Sequence, residues 1–181
     1  MSLIDIPTLE NSAADSRPLL EAVNRQLGSV PNLFRLIGVS PAALQAYSGF
    51  NAALSGTLDV KTRERIALAV AQVNRCDYCL SAHAYLGLNL AKLSQEEISR
   101  NRLGTSDDSK AAAAVSFAAL VAGERGHVNP SHLEAVRAAG FSDAQIIEIV
   151  ALVAENTFTN YLNEVARTDI DFPVVRAADV F

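Results

Sequence analysis

The chain has 181 residues and a mass of 19.3 kDa; half of its residues are hydrophobic, 19% are charged, the net charge is −5 and there is no tryptophan. That size fits one domain over 1–181, with enough apolar material for a sizeable core. The absence of a basic run argues against a nucleic-acid partner, the acidic balance argues against an anionic membrane surface, and the longest apolar pattern carries Glu148, Glu155 and Asn156, which an ordinary membrane span would not.

In chain order the pattern is helical almost throughout. Leu19, Leu20, Val23 and Leu27 share one face, and Gly28 closes it. Val30-Pro31-Asn32 reads as a turn before a short helix near Leu33 to Ile37. Ser40 and Pro41 are a good helix start, as cap and first-turn residue, for a helix reaching Leu54. After the Ser55-Gly56 break a helix runs from Asp59 to Val73, with an apolar stripe of Ile66, Leu68, Ala69, Val70 and Val73. Asn74 interrupts it, and a new helix starts near Arg75 and ends near Gly87. Ser94 with Glu97 three residues on resembles a capping box. A polar loop from Gly104 to Ser109 precedes an Ala-rich helix from Ala111 to Gly123. Pro130 opens a short helix that ends at Gly140. Ser142-Asp143 opens the last and longest one, to about Arg167. The tail after about Asp171, with Pro173, reads as an extended arm. No segment alternates as a strand does, so the expectation is an all-α bundle of about eight or nine helices.

Ile146, Ile147, Ile149, Val150, Leu152 and Val153 make the last helix apolar over more than one face. A helix covering a small core needs a single stripe, so the surplus predicts a second buried side and, with the apolar composition, a homo-oligomer. The first residues, Met1-Ser2-Leu3-Ile4-Asp5-Ile6-Pro7, do not read as a secretory signal. The expected compartment is the cytoplasm, where thiols stay reduced and a close cysteine pair is more often catalytic or metal-binding than a structural staple.

Both cysteines of the chain are such a pair, Cys76 and Cys79. A helix starting at Asn74 or Arg75 puts them in its first turn, where unpaired N–H groups and the helix dipole favour a thiolate. Residues three apart on a helix have Cβ atoms about 5–6 Å apart, and a disulfide wants about 3.5–4.5 Å. A modest adjustment closes the bond and leaves it reducible. His83 lies one turn beyond Cys79 and can take its proton. Glu64, on the preceding helix, can return to the cysteines if the two helices pack antiparallel. Each feature also has a plainer reading. Two cysteines can be small buried hydrophobes. Cys76, Cys79 and His83 offer three zinc ligands without an obvious fourth. A thioredoxin motif would need flanking βαβ structure that is missing. Glu64 can be a solvated charge beside Arg63 and Arg65, and His127 and His132 read as surface residues. Tyr78, between the cysteines, can pack or line a pocket.

Taken together, Glu64, Cys76, Cys79 and His83 at this spacing resemble the core motif of the alkyl hydroperoxidase D-like (AhpD-like) proteins of the carboxymuconolactone decarboxylase superfamily. The likeness extends to Val30-Pro31-Asn32-Leu33-Phe34, Phe141-Ser142-Asp143, Asn156-Thr157-Phe158-Thr159-Asn160-Tyr161 and Thr168-Asp169-Ile170-Asp171-Phe172-Pro173, segments similar to the family's peroxidase-related branch. The resemblance implies an all-α AhpD-like bundle, an obligate oligomer, and reduction of a peroxide by the cysteine pair without flavin, haem or metal. It makes Cys79 the peroxidatic cysteine, Cys76 the resolving one, and Glu64 and His83 a proton relay. An external dithiol, a lipoyl domain or a thioredoxin-like protein, would reduce the disulfide. The better studied hydroperoxidase has a histidine where this chain has Tyr78. Two rivals stand beside this reading: a lactone decarboxylase, whose acid–base chemistry needs no dithiol, and a redox sensor or assembly module that uses the same disulfide as a switch.

Overall fold

A computed structural model describes residues 2–179, and among these the chain forms nine α-helices and no strand. They are α1 (Arg17–Leu27), α2 (Asn32–Ile37), α3 (Pro41–Leu54), α4 (Val60–Val73), α5 (Asp77–Asn89), α6 (Gln95–Arg102), α7 (Ser109–Gly123), α8 (Pro130–Ala138) and α9 (Asp143–Ala166). The all-α expectation holds, and no helix among the described residues is long and apolar enough to cross a membrane.

Helix α4 is the axis of the bundle. Asp59 starts it by accepting from the Thr62 N–H at 3.0 Å, satisfying one of the N–H groups that a helix start leaves without a partner. From Ile66 to Ala71 every residue is buried, because α5, α6, α7 and α9 surround it. Small residues on α7 (Ala111, Ala114 and Ala118) are buried as well and let that helix approach closely. Ile66 and Val70 join Phe117, Ile149, Leu152 and Val153 in one apolar cluster. Leu68 and Ala71 join the cysteine segment in another. A third cluster, Leu20, Ile37 and Leu44, packs with Phe34 and Tyr47 at the α1–α3 end.

Two local outcomes differ from the sequence pattern. Ser94 caps α6 through the Glu97 N–H at 3.1 Å, but the Glu97 side chain does not return to the cap. It turns inward to the Arg65 guanidinium at 2.7 Å and also accepts from Asn101, Ser106 and the Asp107 N–H. The partly buried cation of α4 outcompetes the local capping bond. The other difference is the start of α5, at Asp77 rather than near Arg75. Arg75 has a φ of 57°, a left-handed conformation that closes α4 and cannot belong to the next helix.

Beyond Ala166 the described chain is non-helical, as the sequence suggests for its end. The arm runs back across α5. The Ala177 N–H donates to Asp77 at 2.7 Å, Val175 and Ser81 exchange bonds through the Val175 backbone, and Gln72 donates to the Ala177 carbonyl. Tyr78 fastens the arm where it begins. Its buried hydroxyl donates to Asp171 at 2.8 Å and accepts from the Leu33 N–H at 3.0 Å, while Phe172 meets its ring edge-on. Tyr78 is thus a structural clasp.

Candidate active site

The sharp reversal after α4 sets the site. The Asn74 N–H still bonds the Val70 carbonyl and the Cys76 N–H reaches back to Ala71, so Cys76 is delivered directly to the N-cap of α5. Its Sγ accepts from the Cys79 N–H at 3.4 Å, in the place where a serine oxygen usually sits. Cys79 occupies the third helical position. Both thiols are free and buried.

The two sulfurs are not equivalent. Cys79 is held down at about 7 from an ordinary 9.0. The largest contribution is the hydrogen bond from the Cys76 thiol, followed against burial by the His83 charge and by the side-chain amides of Asn163 and Asn160. Cys76 is pushed far up, chiefly by donating that same bond and then by burial. Both shifts favour the proton on Cys76 and the negative charge on Cys79. The starting residues of α5 add the N-terminal helix dipole.

Helices α4 and α5 pack as the sequence required. His83 Nδ1 lies 2.9 Å from Glu64 Oε2, with side chains 22% and 12% exposed. Burial would lower the imidazole's pKa, but the Glu64 carboxylate, with Cys79 and Glu155 behind it, outweighs burial and raises it. The four residues singled out by spacing thus meet at one place. Among the described residues, no group of three or more His, Cys, Asp or Glu side chains is arranged to hold a metal ion. His127 is exposed, and His132 serves as a cap, its Nδ1 accepting from the Asn129 N–H.

Several neighbours come from farther along the chain. Asn163 Nδ2 donates to Cys79 Sγ at 3.2 Å. Glu155, on the same face of α9 and 5% exposed, accepts from Asn51 at 2.7 Å and bears on both His83 and Tyr47. Tyr47 is pushed above its ordinary range by burial and by the charges of Glu155, Cys79 and Glu64. Its ring lies between Phe34 and Phe158, with centroids 5.8 and 6.0 Å away. A signal for the α9 residues does exist in the sequence: Asn156, Asn160 and Asn163 fall at helical spacing, a polar stripe with no reason to be buried unless it faces something polar.

A model of the carboxymuconolactone decarboxylase family matches residues 41–120, which include the whole thiol motif. The fold is also that of an uncharacterized peroxidase-related protein from Ralstonia eutropha JMP134 with an alkylhydroperoxidase AhpD core, at 28% identity and a TM-score of 0.81, covering 94% of this chain and 92% of that one. The chain thus has an AhpD-like fold, and its residues 41–120 resemble the carboxymuconolactone decarboxylase family. An uncharacterized protein of Haemophilus influenzae is 56% identical over 46 residues, 24% of this chain. The chain spans only 41% of that relative's length. A debrominase in complex with 2,3,4-tribromopyrrole has the same fold, with a TM-score of 0.75 at 20% identity, covering 93% of this chain and 94% of its own. The AhpD-like bundle therefore houses more than one named activity.

Proposed function

We propose that this AhpD-like protein is a thiol-dependent peroxidase whose Cys79 and Cys76 cycle between dithiol and disulfide. What supports the reading is the asymmetry of the two thiols beside a His83–Glu64 pair 2.9 Å apart: Cys79 is shifted down to about 7 and Cys76 is shifted up. In the first step the Cys79 thiolate attacks the terminal oxygen of a peroxide. The S–O bond forms, the O–O bond breaks, and the departing alkoxide or hydroxide takes a proton from the His83 imidazolium. In the second step Cys76 gives up its proton and attacks the Cys79 sulfenic acid. The S–S bond forms and water leaves. An external dithiol, of a lipoyl or thioredoxin-like carrier, supplies the two electrons and two protons that reopen the disulfide. The cytoplasm suits such a cycle.

The exposed apolar residues of α9, led by Ile147 and Val165, support a homo-oligomeric assembly. The intact dithiol argues against a decarboxylase role, which has no use for it.

The test is peroxide consumption with a generic dithiol as reductant, comparing hydrogen peroxide with alkyl hydroperoxides. Cys79→Ser should abolish consumption. Cys76→Ser should leave a sulfenic acid on Cys79 that a dimedone probe traps. Two free thiols persisting after oxidant would remove the cycle, and stoichiometric disulfide formation without turnover would favour the sensor. Because the fold also houses a debrominase, 2,3,4-tribromopyrrole belongs in the assay as a second electrophile.

A further inference from the structure

The thiol site contains two buried amides that the cycle described above does not use. Asn163 is 2% exposed and directs Nδ2 at Cys79 Sγ from 3.2 Å. Asn160, one helical turn before it on α9, is fully buried. Its orientation is fixed from the other end, since its Oδ1 accepts from Asn74 Nδ2 at 2.9 Å. Asn74 is the C-cap of α4, so the residue that ends the helix before the cysteines also sets this amide. The Asn160 Nδ2 is left buried with no hydrogen-bond partner of its own, and so is the Asn163 Oδ1. An unpaired buried amide group is costly, and it persists where the site itself uses it. A sulfur carrying a full negative charge suits the Asn163 donor, and the unpartnered Asn160 Nδ2 one turn away, better than a neutral thiol does.

We propose that the Asn163 and Asn160 amides form an anion-holding cradle for the Cys79 sulfur, and that this cradle, reaching Cys79 and not Cys76, selects which cysteine of the pair is the nucleophile. The inference rests on the peroxidase reading for its purpose but not for its test. Asn163 acts by touching the reacting sulfur. Asn160 is a positioning residue, held by Asn74. The favourable contribution of both amides to the low pKa of Cys79 agrees with this geometry.

The sign of one measurement decides it. With Cys76→Ser as background, the Cys79 pKa is read from the pH dependence of alkylation by iodoacetamide, with no peroxide present. Asn163→Ala should raise that pKa by about one unit, as loss of a hydrogen bond to a charged group implies. Asn163→Asp should raise it further, by placing a carboxylate against the thiolate. Asn160→Ala should raise it less. An unchanged or lowered pKa in Asn163→Ala would overturn the cradle, since an Asn163 that merely accepted from a neutral S–H would give that result. If Asn163→Ala loses its far-ultraviolet helical signal, Asn163→Leu, which keeps the bulk and withdraws the donor, carries the same test.

In the otherwise unsubstituted protein, brief alkylation followed by mass mapping should mark Cys79 first, and Asn163→Ala should shift label toward Cys76. Label that stays on Cys79 in the original ratio counts against the selection. A shifted pKa in a protein that turns over no peroxide would keep the cradle and remove the peroxidase reading. Turnover with an unshifted pKa would remove the cradle alone.

Discussion

At the scale of single residues, the chemistry turns on where one proton sits. Cys79 is depressed to about 7 and His83 is raised above 6.5. The rate of peroxide reduction should therefore climb as pH rises through about 7, because the attacking thiolate accumulates. It should fall at higher pH as the imidazolium that protonates the leaving oxygen is lost. A pH series of the single-turnover rate checks both limbs, and a rate flat between pH 6 and 8 (roughly a decade on either side of neutrality) would contradict the assignment. Glu64→Gln removes the charge that keeps His83 protonated. The expected loss is about 10²-fold, with the rising limb moved to higher pH, because a weaker imidazolium stabilises the thiolate less. These four residues are legible in the sequence because their spacing is local once the α4–α5 hairpin is assumed. Asn163 is legible only as part of a polar stripe on α9, since it reaches Cys79 across 84 positions and no periodicity within α5 points to it. The exact register of Cys76 was also hidden: Arg75 adopts a left-handed conformation with no glycine to signal it, which shifts Cys76 from inside the helix to its cap.

At the scale of elements, the bundle is tied around α4 by one buried polar knot. Glu97 of α6 joins Arg65 of α4 to the loop that starts α7. Burial pushes its carboxyl up, but the bonds from Ser106, Asp107 and Asn101 and the Arg65 charge outweigh burial and hold it below 4.5. The knot thus contributes stability that is fully present above that ordinary value and is lost as acid takes the pH down through the lowered one. Glu97→Ala should cost about 3 kcal/mol by urea denaturation, since it strands the Arg65 guanidinium in a poorly solvated place. A cost under about 0.5 kcal/mol, the size of an ordinary surface substitution, would mean that the pair is not structural. Helix boundaries follow from caps that the sequence announces, such as Ser40, Asp59, Ser94 and Ser142, and these hold. What the sequence conceals is competition: Glu97 has a local partner and a distant one, and only the packed structure decides between them.

At the scale of the whole molecule, α9 has two apolar faces. Ile146, Ile149, Leu152 and Val153 are buried, while Ile147, Val150, Phe158, Tyr161 and Val165 are exposed, Ile147 and Val165 at about 70% each. The exposed members are separated by three, eight, three and four positions, which keeps them on one side of the helix. A continuous apolar stripe of this kind favours association of copies. Light scattering should give a multiple of 19.3 kDa, and Ile147→Glu combined with Val165→Glu should lower the mass without loss of helix. A mass near 19.3 kDa for the unsubstituted chain would sink the assembly. That α9 has a surplus of apolar residues is readable from the sequence. That its other face carries Glu155, Asn160 and Asn163 into the thiol site is legible only as an unexplained polar stripe.

The clasp made by Tyr78 has a practical corollary. The chain has four tyrosines and no tryptophan, so its ultraviolet emission belongs to phenols alone. Two of these, Tyr47 and Tyr78, lie within the field of the Cys79 sulfur. Closing the proposed disulfide would discharge that sulfur and change the surroundings of both rings at once. Tyrosine emission would then follow the proposed oxidation in a stopped-flow trace, without dye, label or substitution.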